Sequence, residues 1–214
     1  SSPAAPACIG HGVEAEDFLL LEGSAVESGA QLSRCFVGQG CRIGRQFSAQ
    51  HSAFFANCEA YHGEALSVLA GPYTVSHHKG SLLIAGCFSF YNAGSASNQS
   101  NHLYRLGPLH QGLLRRGAKT GSFSYLMWPA SIGAFSTVIG KHHAHFDSSD
   151  LPFSVILEKD GRSVVFPGHN LFSVGARRDG DKWPARDRRT GTEHLDPIHF
   201  AVFSPLTAGA MTRG

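Results

Sequence analysis

Residues 71–102 read GPYTVSHHKGSLLIAGCFSFYNAGSASNQSNH. Gly80, Gly86, Asn92 and Asn98 recur six residues apart in this stretch, and glycine and asparagine enter the left-handed conformation more readily than other residues. A bend at every sixth residue with short apolar runs between predicts a β-solenoid. Two inward-facing phases compete. One takes Val75, Ser81, Cys87 and Ala93 inside; the other takes Ser76, His78, Leu82, Ile84, Phe88, Phe90 and Ala96. Both are apolar through 82–91, and a strand apolar on both faces is buried on both. One face is the solenoid core. The other needs a cover, since an exposed patch of that size is a liability, and this predicts an oligomer interface along it.

The beat extends outward from this stretch. Ile9, Ala15 and Leu21 are six apart, as are Val26 and Leu32, and Val37, Ile43, Ala49 and Phe55, with two five-residue steps between the runs. A helix would need apolar spacing near 3.6 and would not tolerate this much glycine. The expected organisation is a solenoid over 8–98, a loop insertion over 99–130, a final coil over 131–145, a β-hairpin and extended cap over 146–175, and a charged tail with the start of a helix over 176–214. Residues 59–67 interrupt the beat and are expected to bulge from a corner. FSVILEK and RSVVF flank Asp160-Gly161, a hairpin turn signal. A cap at that end hides the open core and strand edges of the last coil.

Composition narrows the function classes. Charged residues are 16% of the chain and the net charge is +2, so nothing electrostatic points to nucleic acid. Arg177, Arg178, Lys182, Arg186, Arg188 and Arg189 alternate with Asp179, Asp181 and Asp187, the pattern of a solvated mixed-charge loop. The five cysteines include no CxxC pair, which argues against a disulfide framework and a zinc knuckle and for a reducing, cytoplasmic setting. Cys35, Cys41 and Cys87 lie among small and apolar residues, as buried free thiols do. No apolar run approaches the ~20 residues of a membrane span.

ACIGHGVEAEDF and FVGQGCRIGRQF resemble the hexapeptide repeat. That resemblance implies an all-β, left-handed parallel β-helix, commonly trimeric, in a class that includes sugar and amino-acid acyltransferases and domains of sugar-phosphate nucleotidyltransferases. SRCFVGQGCRIG, the run from GPYTVSHHKG to LGPLHQG, then RRGAKT, WPASIGAFS, LPFSVILE and KWPARDRR resemble a bacterial family of long hexapeptide proteins described only as a domain of unknown function. The resemblance places further solenoid and helical regions before this stretch and a helical region after it, so SPLTAGAMTRG reads as the first turns of a longer helix.

The histidines carry the candidate chemistry. In hexapeptide acyltransferases one histidine commonly takes the proton from an attacking hydroxyl or amine, and imidazole suits the task because its pKa lies near neutrality. His77 and His78 are the candidates for that base, with Lys79 beside them. Asn101, His102, Arg105, His110 and Lys119 are the candidates for substrate contact, the cations as partners for phosphate. The implied reaction is acyl or nucleotidyl transfer to a nucleotide-linked or phosphorylated sugar, with acyl-coenzyme A or a nucleotide sugar as co-substrate. No metal site is expected. The competing reading is a non-catalytic scaffold or oligomerisation module with structural histidines.

Overall fold

The computed structural model describes residues 5–100, 110–172 and 174–214. Among these, strands build three sheets of ten, eight and seven, all parallel and two or three residues long except the five-residue antiparallel pair that ends the first sheet. In the first sheet Cys8 pairs with Ala25, Ala25 with Arg42, Arg42 with Glu59, Glu59 with Val75 and Val75 with Asn92. Each partner lies sixteen or seventeen residues on, so three sides of nearly six residues close one coil. The chain is an all-β parallel solenoid of about 8 turns, as the six-residue beat predicts, and of the left-handed β-helix class that the resemblance to the hexapeptide repeat implies.

Inward side chains stack in three ladders. Val26, Ile43, Ala60, Ser76 and Ala93 come from the first sheet, Leu32, Ala49, Ala65, Leu83 and Leu126 from the second, and Val37, Phe54, Ala70, Phe88, Leu114 and Ile132 from the third; all are buried. Fully burying one Ile, Leu or Phe is worth about 1.5–3 kcal/mol, and the ladder repeats that gain in every coil. The competing phases in 71–102 resolve accordingly. Ser76, Leu83, Phe88 and Ala93 point in, while Leu82, Ile84 and Cys87 stay half-exposed.

The bends fall at other residues than expected. Gly80 is left-handed, but Gly86, Asn92 and Asn98 begin strands. The left-handed residues besides Gly80 are Tyr73, Ala85, Phe90 and Ala96. Side chains tolerate that conformation here because the corner amides are tied to the previous coil: Ala85 N donates to Leu66 O at 2.9 Å and Phe90 N to Pro72 O at 2.8 Å. The position, rather than the residue type, is what repeats.

Two further expectations change. Residues 59–67 do not bulge: Glu59–Ala60 and Glu64–Leu66 are in-register strands. Nor does an insertion occupy all of 99–130. Asn98–Ser100, Gly112–Leu114, Lys119–Thr120 and Tyr125–Met127 are solenoid strands. The partner of Asn98 is Tyr125, twenty-seven residues on, so about ten residues more than a normal coil separate these rungs.

A hairpin closes the last coil, but the chain does not stay extended after it: His169–Phe172 is helical. Val155–Lys159 extends the first sheet and Arg162–Phe166 returns antiparallel to it. Asp160 and Gly161 have φ of 53° and 73°, which matches the right-handed twist of a two-residue hairpin. His142, fully buried in the last rung of the second sheet, meets this cap: its Nδ1 lies 2.8 Å from Ser163 Oγ and its Nε2 3.2 Å from Ile139 O. Burial lowers the His142 pKa, opposed in part by the Ile139 carbonyl and Glu158, with His143 adding to the lowering. The folded state thus favours neutral imidazole. Stability from this group is present above the unfolded value of about 6.5 and falls as pH drops below it, until the folded form also protonates. A His142→Leu variant is expected to lose that slope, read as the difference in denaturant midpoint between pH 7.5 and 5.

Three helices follow: α1 (His169–Phe172), α2 (Val174–Lys182) and α3 (Pro205–Arg213). The tail does not run free in solvent as its charge pattern suggests. From buried Trp183 it turns back along one corner of the prism, and at Phe200–Phe203 it returns. That corner presents the left-handed residues Gly40, Asn57, Tyr73, Phe90, Gly117, Phe135 and Phe153. Trp183 packs 4.4 Å from the Phe90 ring and 6.0 Å from Phe135. At Gly117 a Cβ would overlap the Phe135 ring, and the Arg116 guanidinium lies 4.6 Å over Phe90 instead, holding the His199 carbonyl of the returning tail. Among the described residues no helix is long and apolar enough to cross a membrane.

Candidate functional site

The outer face of the first sheet gathers the polar cluster with most chemical content. Glu59 heads one strand and faces outward; Val75–Ser76 is the next rung, and His77 follows it. The Glu59 carboxylate is shared. Its Oε2 takes the His77 Nε2 and its Oε1 the Arg188 guanidinium, through Nη1. The bond from His77, and then the charge of Arg188, outweigh burial and hold the Glu59 pKa at about 2. The carboxylate is therefore ionised at any physiological pH. An ionised carboxylate only accepts, so neutral His77 would donate from Nε2 and keep the Nδ1 lone pair. The His77 side chain is 46% exposed, which leaves room for a partner.

Tyr61 lies beside this pair, its ring 5.4 Å from that of His77. A Cβ on Gly44 would overlap the Tyr61 ring, so glycine one coil earlier lets the tyrosine lie flat. Burial, and the Glu59 and Glu27 charges, raise the Tyr61 pKa against Arg188 and Arg42, keeping it a neutral hydroxyl.

Arg188 reaches the sheet from the tail. Its Nε donates to Gly40 O at 2.8 Å, its Nη2 to Asn57 O at 3.1 Å and its backbone N to Asn57 Oδ1 at 2.8 Å. Asp187 accepts from Asn57 Nδ2 at 2.9 Å and from Arg189. Burial works against the Asp187 charge, but these donors win and set its pKa at about 2.

The residues singled out in the sequence do not all converge. His77 and His78 are neighbours, with rings 6.4 Å apart, and His78 is exposed. Lys119 shares their sheet, two rungs above Val75, and is paired with Asp179 of α2. His110 lies elsewhere. It precedes the Gly112–Leu114 strand of the third sheet, with its ring 6.2 Å from that of His145. His145 borders a cleft of about 540 Å³ lined also by Gln111, Leu113, Pro129, Ser131 and Asp147. Asn101, His102 and Arg105 lie outside the described residues. No group of three or more His, Cys, Asp or Glu side chains able to hold a metal occurs among the described residues.

Sequence reasoning missed Glu59, Tyr61 and Arg188. A signal existed for the first two: counting one coil back from Val75 and His77 lands on Glu59 and Tyr61. None existed for Arg188, 129 positions from Glu59.

The model of the family described as domain of unknown function (DUF4954) matches residues 1–214. The chain belongs to that family. This DUF4954 chain is 31% identical over 158 residues to an uncharacterised protein of Treponema pallidum (strain Nichols), covering 68% of the chain and 21% of the relative. The chain thus spans about a fifth of that relative's length. Among solved structures it is similar to the perosamine N-acetyltransferase of Caulobacter crescentus, with 13% identity, 76% and 57% of the two chains covered and a TM-score of 0.28. It is also similar to an Arabidopsis UDP-N-acetylglucosamine acyltransferase, with 15% identity, 83% and 76% covered and a TM-score of 0.34. No site residue is carried over from either.

Proposed function

We propose that the first sheet carries a group-transfer site in which His77 is the general base, oriented by Glu59. The supporting observation is the carboxylate–imidazole pair on an exposed strand end. Glu59 engages Nε2 and leaves Nδ1 to take a proton from an attacking hydroxyl or amine. The acceptor in this reading is a nucleotide-linked or phosphorylated sugar, and the co-substrate is acyl-coenzyme A or a nucleotide sugar. His110 and Lys119 are not part of the pair; Lys119, on the same sheet, is the candidate cation for phosphate in this reading. A cytoplasmic setting, expected from the cysteines, belongs to the same proposal.

The test is thermal-shift screening of acyl-coenzyme A and nucleotide sugars against the intact protein, since a ligand that binds only the folded state raises its stability. Turnover with a stabilising pair is expected to fall about 10²–10⁴-fold in His77→Ala. No stabilisation by any of these ligands, or unchanged turnover in the variant, defeats the reading.

A second reading, a scaffold or assembly module, draws on the third sheet. Its outward row runs Leu19, Phe36, Ala53, Leu69, Cys87 and Leu113, with Leu19 65% and Leu69 48% exposed. An apolar row of this length favours a homo-oligomer, of which a trimer is the form we propose. Light scattering on the intact protein tests it, and a well-behaved monomer removes it.

A further inference from the structure

The tail reaches the candidate site from the far end of the chain. After Trp183 it makes one 3-10 turn over Pro184–Arg186, becomes extended at Asp187, and Arg188 turns onto the first sheet. Three of the contacts of Arg188 are to solenoid backbone or to Asn57: Gly40 O at 2.8 Å, Asn57 O at 3.1 Å and Asn57 Oδ1 at 2.8 Å. These fix the guanidinium before it meets a charge. Its remaining arm, Nη1, takes Glu59 Oε1, the oxygen that His77 does not use. A Cβ at Gly40 would meet Asn57 Oδ1 at 2.9 Å and crowd the Arg188 backbone at 3.1 Å, so the corner glycine eases the approach of the tail at that rung.

From this geometry we infer that Arg188 is a positioning residue for His77, acting through Glu59, and that the docked tail is a working part of the site. The inference rests on the reading of Glu59 and His77 as a functional pair. A carboxylate on an exposed strand end rotates freely among rotamers. Arg188 fixes one oxygen, so the other stays aimed at Nε2. A lysine supplies the charge but neither the planar fork nor the second and third donors. Tail docking and imidazole orientation are then linked, and anything that lifts the tail loosens His77 by the same coupling free energy.

The test measures the pH dependence of His77 carbethoxylation by diethyl pyrocarbonate, followed by peptide mass spectrometry on the intact protein. This reports imidazole protonation without needing a substrate. Arg188→Met frees Glu59 from its fixed rotamer, so the midpoint of the His77 profile is expected to move down, in the direction of Glu59→Gln, whereas loss of a nearby cation with Glu59 still held on Nε2 would move it up. Arg188→Lys keeps the charge and loses the fork, so its midpoint is expected to move down as well. Arg213→Met, which breaks only an exposed pair with Asp150, is expected to leave the midpoint in place and shows that lost charge at a distance is not enough. Glu59→Gln is expected to move it down. If Glu59→Gln moves the midpoint down and neither Arg188 variant does, the inference fails while the pair stands. If Glu59→Gln has no effect, the pair itself fails. The lysine variant keeps the charge that the corner accommodates, so it answers the question even if the methionine variant does not fold.

Discussion

Replacing Trp183 with Ala is expected to destabilise the protein by about 3–5 kcal/mol, the cost of deleting a large buried aromatic. Trp183 is only 8% exposed. It joins the ring stack of Phe90, Phe135 and Phe153 to the tail, and Arg116 lies 5.7 Å over its ring. Edge and stacking contacts of this kind add about 0.5–1.5 kcal/mol each beyond the area they bury. The loss falls on the tail rather than on the solenoid, whose core ladder shares no residue with this cluster. Limited proteolysis should therefore cut the variant first between Trp183 and Phe200, while the coils stay resistant. A wild-type cleavage pattern with an unchanged thermal midpoint would contradict the docking described here.

The second large effect is loss of stability in acid. Glu59 and Asp187 both have folded-state pKa values of about 2, against unfolded values near 4. For a carboxylate with a depressed folded pKa the unfolded state binds the proton first. The stabilisation is fully present above the unfolded value and is lost as pH falls through the folded one. Each group contributes on the order of 2 kcal/mol by this linkage, and both act on the contact between tail and sheet. Stability measured by urea unfolding is expected to fall between about pH 4.5 and 2. In a Glu59→Gln, Asp187→Asn double variant the fall should be shallower, with lower stability at pH 7. An unchanged slope in the double variant would mean that other carboxylates dominate the acid response.

The fold was largely legible in the sequence, and the site only partly. Val26, Ile43, Leu32 and Val37 stand at the spacing of the coil, and that period is a local property of the chain. The misplaced bends at Gly86, Asn92 and Asn98 show the limit of residue type as a guide. Ala85 and Phe90 turn left-handed because carbonyls of the previous coil hold their amides, and no local preference records that. Residues 112–127 were hidden by the long separation of Asn98 from its partner Tyr125, which breaks the beat without ending the solenoid.

By itself the sequence determined the period, the inward places of Val26, Leu32, Val37, Ile43 and Ala49, and the Asp160-Gly161 hairpin, and it drew attention to His77, because each depends on neighbours within one strand or one bend. Only the tertiary structure decided that Glu59 and Tyr61 flank His77, that His110 sits on another side of the prism, and that the charged tail is docked. Those are relations between different coils, or between a coil and a tail more than a hundred residues away. Hydrogen bonds and ring contacts fix them once the solenoid has brought its corners into line, and a pattern of charges along the chain does not contain that alignment.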